Sequence, residues 1–362
     1  MSIFIAILIF GIIIVIHELG HFIMARKCGV LVEEFAIGMG PILYKRQKGE
    51  TLYSLRLFPI GGFCRMLGED DNSGDTRAFS NKTLGQRAAI LSFGAFMNIL
   101  LAFVIFLFVI AFGRYTTAII REVFPGTPIE EAGLMAGDRI VRVNNTPIYI
   151  FEDVSIELSL SNGEPMDITY VRDGQRHTVT ITPEAREQGG YWLGFSAEPR
   201  TGTFAERHPE IEQASIFESL MASVYRIRFF VRLSIVSFVM LVTGQLPMDT
   251  LAGPIGIVTV IDDTYRTSIE HGESAAQGIR IAISNMLNLT AIISANIGVL
   301  NLLPVPALDG GRLLFILFEL IRRKPVPVDK EGIVHFVGFV LLMIFAVFVA
   351  YNDIMRIFIQ RE

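Results

Sequence analysis

The sequence His17-Glu18-Leu19-Gly20-His21 lies within an apolar run, residues 3–24, that is long enough to cross a bilayer as a helix. A charged side chain at the centre of a bilayer costs at least about 2.5–3.5 kcal/mol, so ionisable residues there indicate a functional site. Positions i and i+4 share one face of a helix, so His17 and His21 can direct two imidazole nitrogens at one metal ion. Glu18 lies beside them, placed to take a proton from a water at that ion. The stretch therefore predicts a hydrolytic zinc site within a transmembrane helix.

The motif by itself has a second interpretation. Three fixed positions out of five occur by chance in about one chain of this length in a hundred. The same three side chains would then make structural hydrogen bonds on the buried face of a helix bundle. The rest of the chain has to decide between the two interpretations.

The composition is that of a membrane protein. Of 362 residues, 51% are hydrophobic and only 19% are charged, and the mean hydropathy is +0.50. Soluble domains carry about 25% charged residues. The net charge of −5 gives no basis for a nucleic-acid partner. The two cysteines, Cys28 and Cys64, fit neither a disulfide framework nor a CxxC metal site, so both are predicted to be free thiols on the reducing side of the membrane.

Hydropathy predicts a polytopic α-helical membrane protein with about four transmembrane helices. The predicted spans are residues 1–27, 88–113, 281–321 and 332–352. The third span is broken at Pro304 and Pro306, and broken helices at membrane depth usually line a site. Asp309 follows the break. Hydrolytic zinc sites use three protein ligands, so we assign His17, His21 and Asp309 as ligands and Glu18 as the general base.

Residues 216–256 are predicted to form an amphipathic interfacial helix and a loop. Only 14 uncharged residues follow Arg232, from Leu233 to Leu246, which is short of the roughly 20 that a span needs. A fifth span is the alternative. Residues 251–256, Leu-Ala-Gly-Pro-Ile-Gly, are predicted to form a sharp non-helical corner.

The first polar loop, residues 28–87, is predicted to be a membrane-associated β-hairpin followed by a re-entrant loop on the cytoplasmic side. Residues 33–40 and 51–59 have strand-like alternation and flank a turn at 47–50. The glycine-rich residues 58–63 are predicted to re-enter the membrane. Ten Lys and Arg side chains in residues 25–87 favour the cytoplasm, which leaves both termini extracytoplasmic and the active site toward the cytoplasmic side.

Residues 117–197 contain short strand-like runs and turns and predict an inserted soluble α+β domain, also extracytoplasmic. Residues 132–144, Ala-Gly-Leu-x-x-Gly-Asp-x-Ile-x-x-Val-Asn, resemble a PDZ domain. PDZ domains add a peptide strand to a sheet edge and bind a terminal carboxylate, so the resemblance implies a peptide C-terminus as ligand. A spacer that shields the membrane part is the alternative.

Taken over nearly the whole chain, the sequence resembles the site-2 protease family (M50), intramembrane zinc metalloproteases with one PDZ domain. The resemblance rests on residues 17–21, on Gly61-Gly62-Phe63, on the PDZ insertion and on residues 301–311, Asn-Leu-Leu-Pro-Val-Pro-Ala-Leu-Asp-Gly-Gly. The family's Gly-Pro-x-x-Asn motif appears here without its proline, as residues 94–98. The resemblance implies cleavage of a single-pass membrane protein, such as an anti-sigma factor or a signal-peptide remnant, within the lipid bilayer.

Four further residues are candidates for substrate binding: Asn98, Asn301, Gly61 and Gly62. Asn98 has packing between helices as an equal alternative, and Asn301 has capping of a freed carbonyl near Pro304. Two hypotheses of other classes are a PDZ-containing membrane scaffold and a metal transporter, both without peptidase activity. A transporter would need neither the carboxylate of Glu18 nor a PDZ domain.

Overall fold

The computed structural model describes residues 2–69, 73–186, 189–245, 253–324 and 326–359. The chain forms two compact units, Met1–Ile105 with Phe230–Glu362 and, separately, Phe106–Phe229. The helices are α1 (Ser2–Lys27), α2 (Leu84–Phe112), α3 (Pro128–Glu131), α4 (Phe151–Leu160), α5 (Ile216–Val242), α6 (Pro254–Glu270), α7 (Ala275–Leu302), α8 (Asp309–Arg322) and α9 (Val328–Ile359). The strands are β1 (Val32–Lys48), β2 (Thr51–Met66), β3 (Arg114–Val123), β4 (Arg139–Val143), β5 (Thr146–Pro147), β6 (Met166–Arg172), β7 (Gln175–Ile181), β8 (Glu184–Ala185), β9 (Tyr191–Trp192) and β10 (Phe195–Thr201).

Four helices in the described residues are long and apolar enough to cross a membrane, namely α1, α2, α7 and the 330–356 part of α9. The polytopic helical fold class is therefore confirmed. The break predicted around Pro304 separates α7 from α8, because proline supplies no N–H to continue the helix.

Strands β1 and β2 form a small sheet whose pairing is more complex than a hairpin. Residues 42–48 pair with 51–56 as in a hairpin, but residues 32–37 pair with 62–66 on one side and, from residue 34, with 52–55 on the other. Four segments therefore lie in the order 62–66, 32–37, 51–56 and 42–48, and residues 62–66 form one edge of the sheet.

Residues 58–63, predicted to re-enter the membrane, are part of strand β2 rather than an unpaired loop. They lie against the first span, since a Cβ on Gly11 of α1 would lie 3.6 Å from the Pro59 carbonyl oxygen; re-entry itself stays a prediction. Pairing satisfies their backbone groups, which an unpaired segment at membrane depth could not do. Gly38 makes the tight bend possible: its φ is +83°, and a Cβ there would lie 2.5 Å from the carbonyl oxygen of Phe58.

The end of the segment 216–256 differs from the predicted loop. Helix α5 ends at Val242, residues 246–252 lie outside the described residues, and Pro254 begins helix α6, which was not predicted. The part of the predicted corner at 254–256 is thus the first turn of a helix, where proline is favoured. The carboxylate of Asp353 in α9 accepts hydrogen bonds from the Gly253 and Gly256 N–H groups, at 3.1 and 2.8 Å. This capping group lies about a hundred residues away along the chain, beyond the reach of local sequence patterns.

The second unit contains the predicted PDZ-like domain. Its main sheet has the strand order β10-β3-β4-β6-β7, and α3 and α4 belong to the same unit. Ile120, Ile140 and Ile168, one from each of three central strands, are at most 1% exposed and form its core with other apolar side chains. Asp173-Gly174, a dipeptide typical of two-residue hairpin turns, joins β6 to β7, and both residues have the positive φ that such a turn needs.

Buried charge in this domain is paired. The carboxylate of Asp138 is 1% exposed and accepts two hydrogen bonds from Arg172, at 2.7 and 2.6 Å, and a third from the Met135 N–H at 2.8 Å. Burial alone would raise the pKa of Asp138, but these hydrogen bonds and the guanidinium charge hold it below its usual value.

Candidate metal centre

The structure brings together the three residues assigned as ligands. Helix α1 supplies His17 and His21, one turn apart, and the first residue of α8 supplies Asp309. The His17 Nε2 atom lies 3.0 Å from Asp309 Oδ2 and 3.1 Å from His21 Nε2, and the third side of the triangle measures 3.3 Å. Ligands of a tetrahedral zinc ion, with bonds near 2.0–2.1 Å, lie about 3.3 Å apart. The donor set and its spacing therefore fit a zinc ion.

A hydrogen bond orients the His21 ring so that its Nε2 atom faces the other two ligand atoms. The Nδ1–H group of His21 donates to the carbonyl oxygen of Ile90 in α2, at 2.9 Å. This bond fixes the proton on Nδ1 and leaves the lone pair of Nε2 free for a metal. His21 is 6% exposed and His17 is 8% exposed, and both line the cavity described below.

Asn98 supports His17 in the same way. The Asn98 side-chain amide lies 3.3 Å from His17 Nδ1, and its Oδ1 has no hydrogen-bond partner among the described residues. A His17 ring that gives Nε2 to a metal carries its proton on Nδ1, so it needs an acceptor where the amide stands. Turning the amide by 180° places the unpartnered Oδ1 there. Asn98 is completely buried beside His17, in a position to orient that imidazole.

Glycines let α1 and α2 cross closely at this level. A Cβ on Gly94 would lie 2.4 Å from His21 Nε2 and 2.9 Å from His17 Cε1, and a Cβ on Gly20 would lie 2.5 Å from the carbonyl oxygen of Phe93. Distances below 3.0 Å are not tolerated between such atoms, so Gly94 is required where the imidazoles meet α2.

Asp309 is placed by a backbone turn that also needs glycine. A Cβ on Gly310 would lie 2.0 Å from the Leu303 carbonyl oxygen, and one on Gly311 would lie 2.6 Å from that of Val305. The loop of residues 303–308 thus packs directly onto the first turn of α8. This explains why the two glycines follow Asp309.

A cavity of about 430 Å³ opens beside the three ligands. Glu18 lines it, as do Phe63, Cys64, Arg65 and Met66 of the sheet edge and Leu308 and Arg312 on the opposite side. Arg312 Nη1 donates to Glu69 Oε1 at 2.6 Å, which links α8 to the segment after β2 across the cavity. The side chain of Glu18 therefore lines the same cavity as the three ligands, as a general base requires.

The other residues predicted to bind substrate differ in how near they lie to the cavity. Asn301 is half-buried in the last turn of α7 and does not line the cavity. Gly61 and Gly62 lie in β2 just before the lining residues, and a Cβ on Gly62 would lie 3.6 Å from Glu18 Cγ. Sequence reasoning missed Glu69 and the carbonyl of Ile90, whose positions depend on contacts between distant segments.

Comparison with known proteins decides the family. The profile of Peptidase family M50 matches residues 5–345. The chain belongs to peptidase family M50. All the ligand-triangle residues fall within the matched region.

Relatives align over almost the whole chain. A proposed zinc metalloprotease of Clostridium acetobutylicum is 37% identical over 354 residues, 98% of this chain and 97% of the relative. Zinc metalloprotease RasP of Geobacillus kaustophilus is 30% identical, with 98% and 97% covered. The regulator of sigma-W protease RasP of Bacillus subtilis is 28% identical, with 98% of each chain covered.

Two solved structures match part of the chain. The PDZ domain of the SdrC-like protein from Listeria monocytogenes is 18% identical, with a TM-score of 0.21, and covers 23% of this chain and 88% of that chain. A Geobacillus thermodenitrificans protein solved in solution is 25% identical, with a TM-score of 0.19, and covers 20% and 85%.

Proposed function

We propose that this chain is a zinc endopeptidase that cleaves the transmembrane segment of single-pass membrane proteins. The observation that carries the proposal is the triangle of His17, His21 and Asp309, with sides of 3.0–3.3 Å, next to a cavity that holds Glu18. Membership of family M50 and the zinc metalloprotease names of the relatives support it. A scaffold or a transporter would have no use for Glu18 beside the ligands.

Each residue has a separate part in peptide hydrolysis. His17, His21 and Asp309 would hold a zinc ion, which would supply Lewis acidity to the scissile carbonyl and lower the pKa of water there from 15.7 to about 7. Glu18 takes the proton from the attacking water and passes it to the leaving amine. Asn98 and the Ile90 carbonyl hold the two imidazoles in the tautomers that leave Nε2 available.

The substrate is proposed to bind as an extended strand along residues 62–66. A helical substrate hides its amide groups, so it must unwind before attack. Among the described residues no strand pairs with the outer side of this edge segment, and Phe63 to Met66 line the cavity. Addition of a strand there satisfies the unwound backbone and lays it beside the ligand triangle.

Anti-sigma factors and remnant signal peptides are the proposed substrate classes. The relative from Bacillus subtilis is named as a regulator of sigma-W, which favours the first class. The positive-inside rule supports extracytoplasmic termini and an extracytoplasmic PDZ-like domain, with the active site toward the cytoplasm.

The PDZ-like domain is proposed to bind a peptide C-terminus or to exclude large substrates. A groove of about 310 Å³ lies between helix α4 and the segment Leu193-Gly194-Phe195. Val154 and Leu158 line it on the side of α4. PDZ ligands add to a sheet edge in such a groove. Removing one residue from the C-terminus that an earlier cleavage leaves on the substrate distinguishes the two roles. Cleavage should fall if the domain binds that C-terminus, and should not change if the domain only excludes large substrates.

The test is cleavage of a tagged single-pass protein by purified enzyme in detergent or liposomes. Wild type is expected to cleave, to stop when zinc is chelated and to resume when zinc is restored. Glu18→Gln is expected to retain one zinc per chain and lose cleavage, whereas Glu33→Gln, at an exposed position of β1, is expected to cleave normally. Cleavage by Glu18→Gln would contradict the general-base role, and a wild-type chain without zinc would contradict the metal site.

Strand addition has its own test in the inactive Glu18→Gln background. A photo-crosslinking phenylalanine analogue at Phe63, on the cavity edge, is expected to capture the substrate. The same analogue at Tyr44, on the opposite edge of the sheet and 62% exposed, is the matched control and is expected not to. Equal capture at both positions would contradict binding along residues 62–66.

A further inference from the structure

The loop that carries Asp309 contains a residue in an unfavourable conformation. Ala307, two residues before Asp309, has a φ of +75°. This left-handed region is disfavoured for any residue with a Cβ, so neighbouring contacts have to hold Ala307 there. The direction in which the chain enters α8, and so the place of the Asp309 carboxylate, depends on this residue.

The contact that holds Ala307 comes from helix α9. His335 Nδ1 accepts a hydrogen bond from the Ala307 backbone N–H, at 2.9 Å. An accepting Nδ1 places the ring proton on Nε2, which lies 3.9 Å from Glu331 Oε1, one turn earlier in α9. The ring centroid also lies 5.6 Å from that of Phe315 in α8. His335 therefore contacts both the loop and the helix that Asp309 begins.

Close packing of α9 on the same loop makes this hydrogen bond possible. Gly338 follows His335 by three residues and so lies on the same face of the helix. A Cβ there would lie 2.3 Å from Pro306 Cβ and 3.0 Å from the Pro306 carbonyl carbon. Only a glycine allows the backbone of α9 to approach the loop this closely.

These contacts stand out because little of α9 is buried. Of the most apolar 18 residues of α9, only 11% are buried inside the molecule, against 28–33% for the corresponding residues of α1, α2 and α7. An ionisable side chain within a span is costly, so the histidine in this part of α9 indicates a functional role.

We propose that His335 is a positioning residue, which fixes the 303–308 loop through the Ala307 N–H and so aims Asp309 at His17 and His21. The inference rests on the proposed metal site and adds a residue that touches neither metal nor substrate. Positioning groups of this kind typically change metal affinity 10–100-fold when they are removed.

The test measures how fast zinc leaves the purified full-length protein for a chromogenic chelator. His335→Leu is expected to release zinc about 10–100-fold faster than wild type. His335→Asn is expected to stay within about 3-fold, because its Oδ1 can accept the same hydrogen bond. Phe336→Leu is the matched control at the adjacent, 68% exposed position of α9 and is expected to behave as wild type.

A second substitution distinguishes positioning from general loss of stability. Ala307→Gly removes the conformational cost at φ +75°, so adding it to His335→Leu is expected to restore roughly 5–10-fold of the lost zinc retention. Gly338→Ala forces α9 away from Pro306 while keeping His335, and it is expected to release zinc as His335→Leu does. It serves as the replacement if His335→Leu does not fold.

Amide hydrogen exchange of residues 303–310 in chelator-treated protein reads the hydrogen bond without the metal. His335→Leu is expected to speed this exchange, and His335→Asn is not. The inference would be overturned if His335→Leu exchanged its amides and released zinc at the same rates as the wild type. It would also be overturned if the Leu and Asn variants were equally defective. If the wild-type chain bound no zinc, the proposed function and the role of His335 in aiming Asp309 at a metal would both be overturned. A persisting difference in amide exchange between wild type and His335→Leu would then show only that His335 holds the loop.

Discussion

His17 Nε2 lies 3.0 Å from Asp309 Oδ2, although 292 residues separate the two along the chain. The first residue belongs to the first span and the second begins the helix after a proline break. A five-residue motif occurring by chance gives no reason for such a meeting, and the structural hydrogen-bond interpretation gives no reason for a cavity beside it.

Asp309→Asn is expected to lose zinc and activity together. The amide is a poor replacement for an anionic ligand, so zinc affinity should fall by more than the roughly 100-fold typical of groups that only orient a ligand. Metal content after dialysis and substrate cleavage are the measurements. Asp263→Asn, at an exposed position of α6, is the control, and full zinc occupancy in Asp309→Asn would contradict the assignment.

Asn98→Ala is expected to weaken zinc binding about 10–100-fold without abolishing it, because His17 keeps its place but loses the acceptor for Nδ1–H. Asn98→Asp retains an acceptor oxygen and is expected to bind zinc more tightly than Asn98→Ala. Competition with a chelator of known affinity gives the ranking. Equal affinity in the two variants would show that the acceptor is irrelevant.

Gly94→Ala is expected to disrupt the site by overpacking, since the added methyl would lie 2.4 Å from His21 Nε2. We expect zinc binding and cleavage to be lost while the protein remains inserted in the membrane. Gly85→Ala, in the same helix with no atom within 4 Å of the added Cβ, is the matched control and should be neutral or slightly stabilising. Normal zinc binding by Gly94→Ala would contradict the observed crossing of α1 and α2.

The PDZ-like domain is expected to lose stability in acid through Asp138. Its pKa is lowered in the folded state, so its contribution is present above the unfolded pKa, near 3.8, and is lost as pH falls through the folded value. Arg172→Gln should reduce the stability of the domain at neutral pH and flatten this dependence. Hydrogen exchange of β4 and β6 in the full-length protein, measured from neutral to acidic pH, reports the change. Asp173→Asn, in the exposed turn, should leave the dependence intact.

How much of this was predictable depends on the range of the interaction. The four spans, the break before Asp309 and the β6–β7 hairpin follow from hydropathy, proline and turn chemistry, which act within a few residues. The ligand set followed from chemistry, because few residue types bind zinc.

Features that depend on distant segments were missed. The 58–63 strand needs β1 as a partner, helix α6 needs the Asp353 carboxylate at its N-terminus, and the contact of Asn98 with His17 appears only once α1 and α2 are packed together. In each case the prediction used neighbouring residues alone, whereas the structure depends on a partner that lies far away along the chain.

The edge formed by residues 62–66 has a consequence for selectivity. If substrates bind along this edge as proposed, the affinity comes from main-chain hydrogen bonds that any sequence can make, so the ease with which a target helix unwinds becomes a main determinant of cleavage. Membrane segments weakened by glycine or proline near the cytoplasmic end should be cut readily, and uniformly leucine-rich ones should resist whatever residues flank the cut.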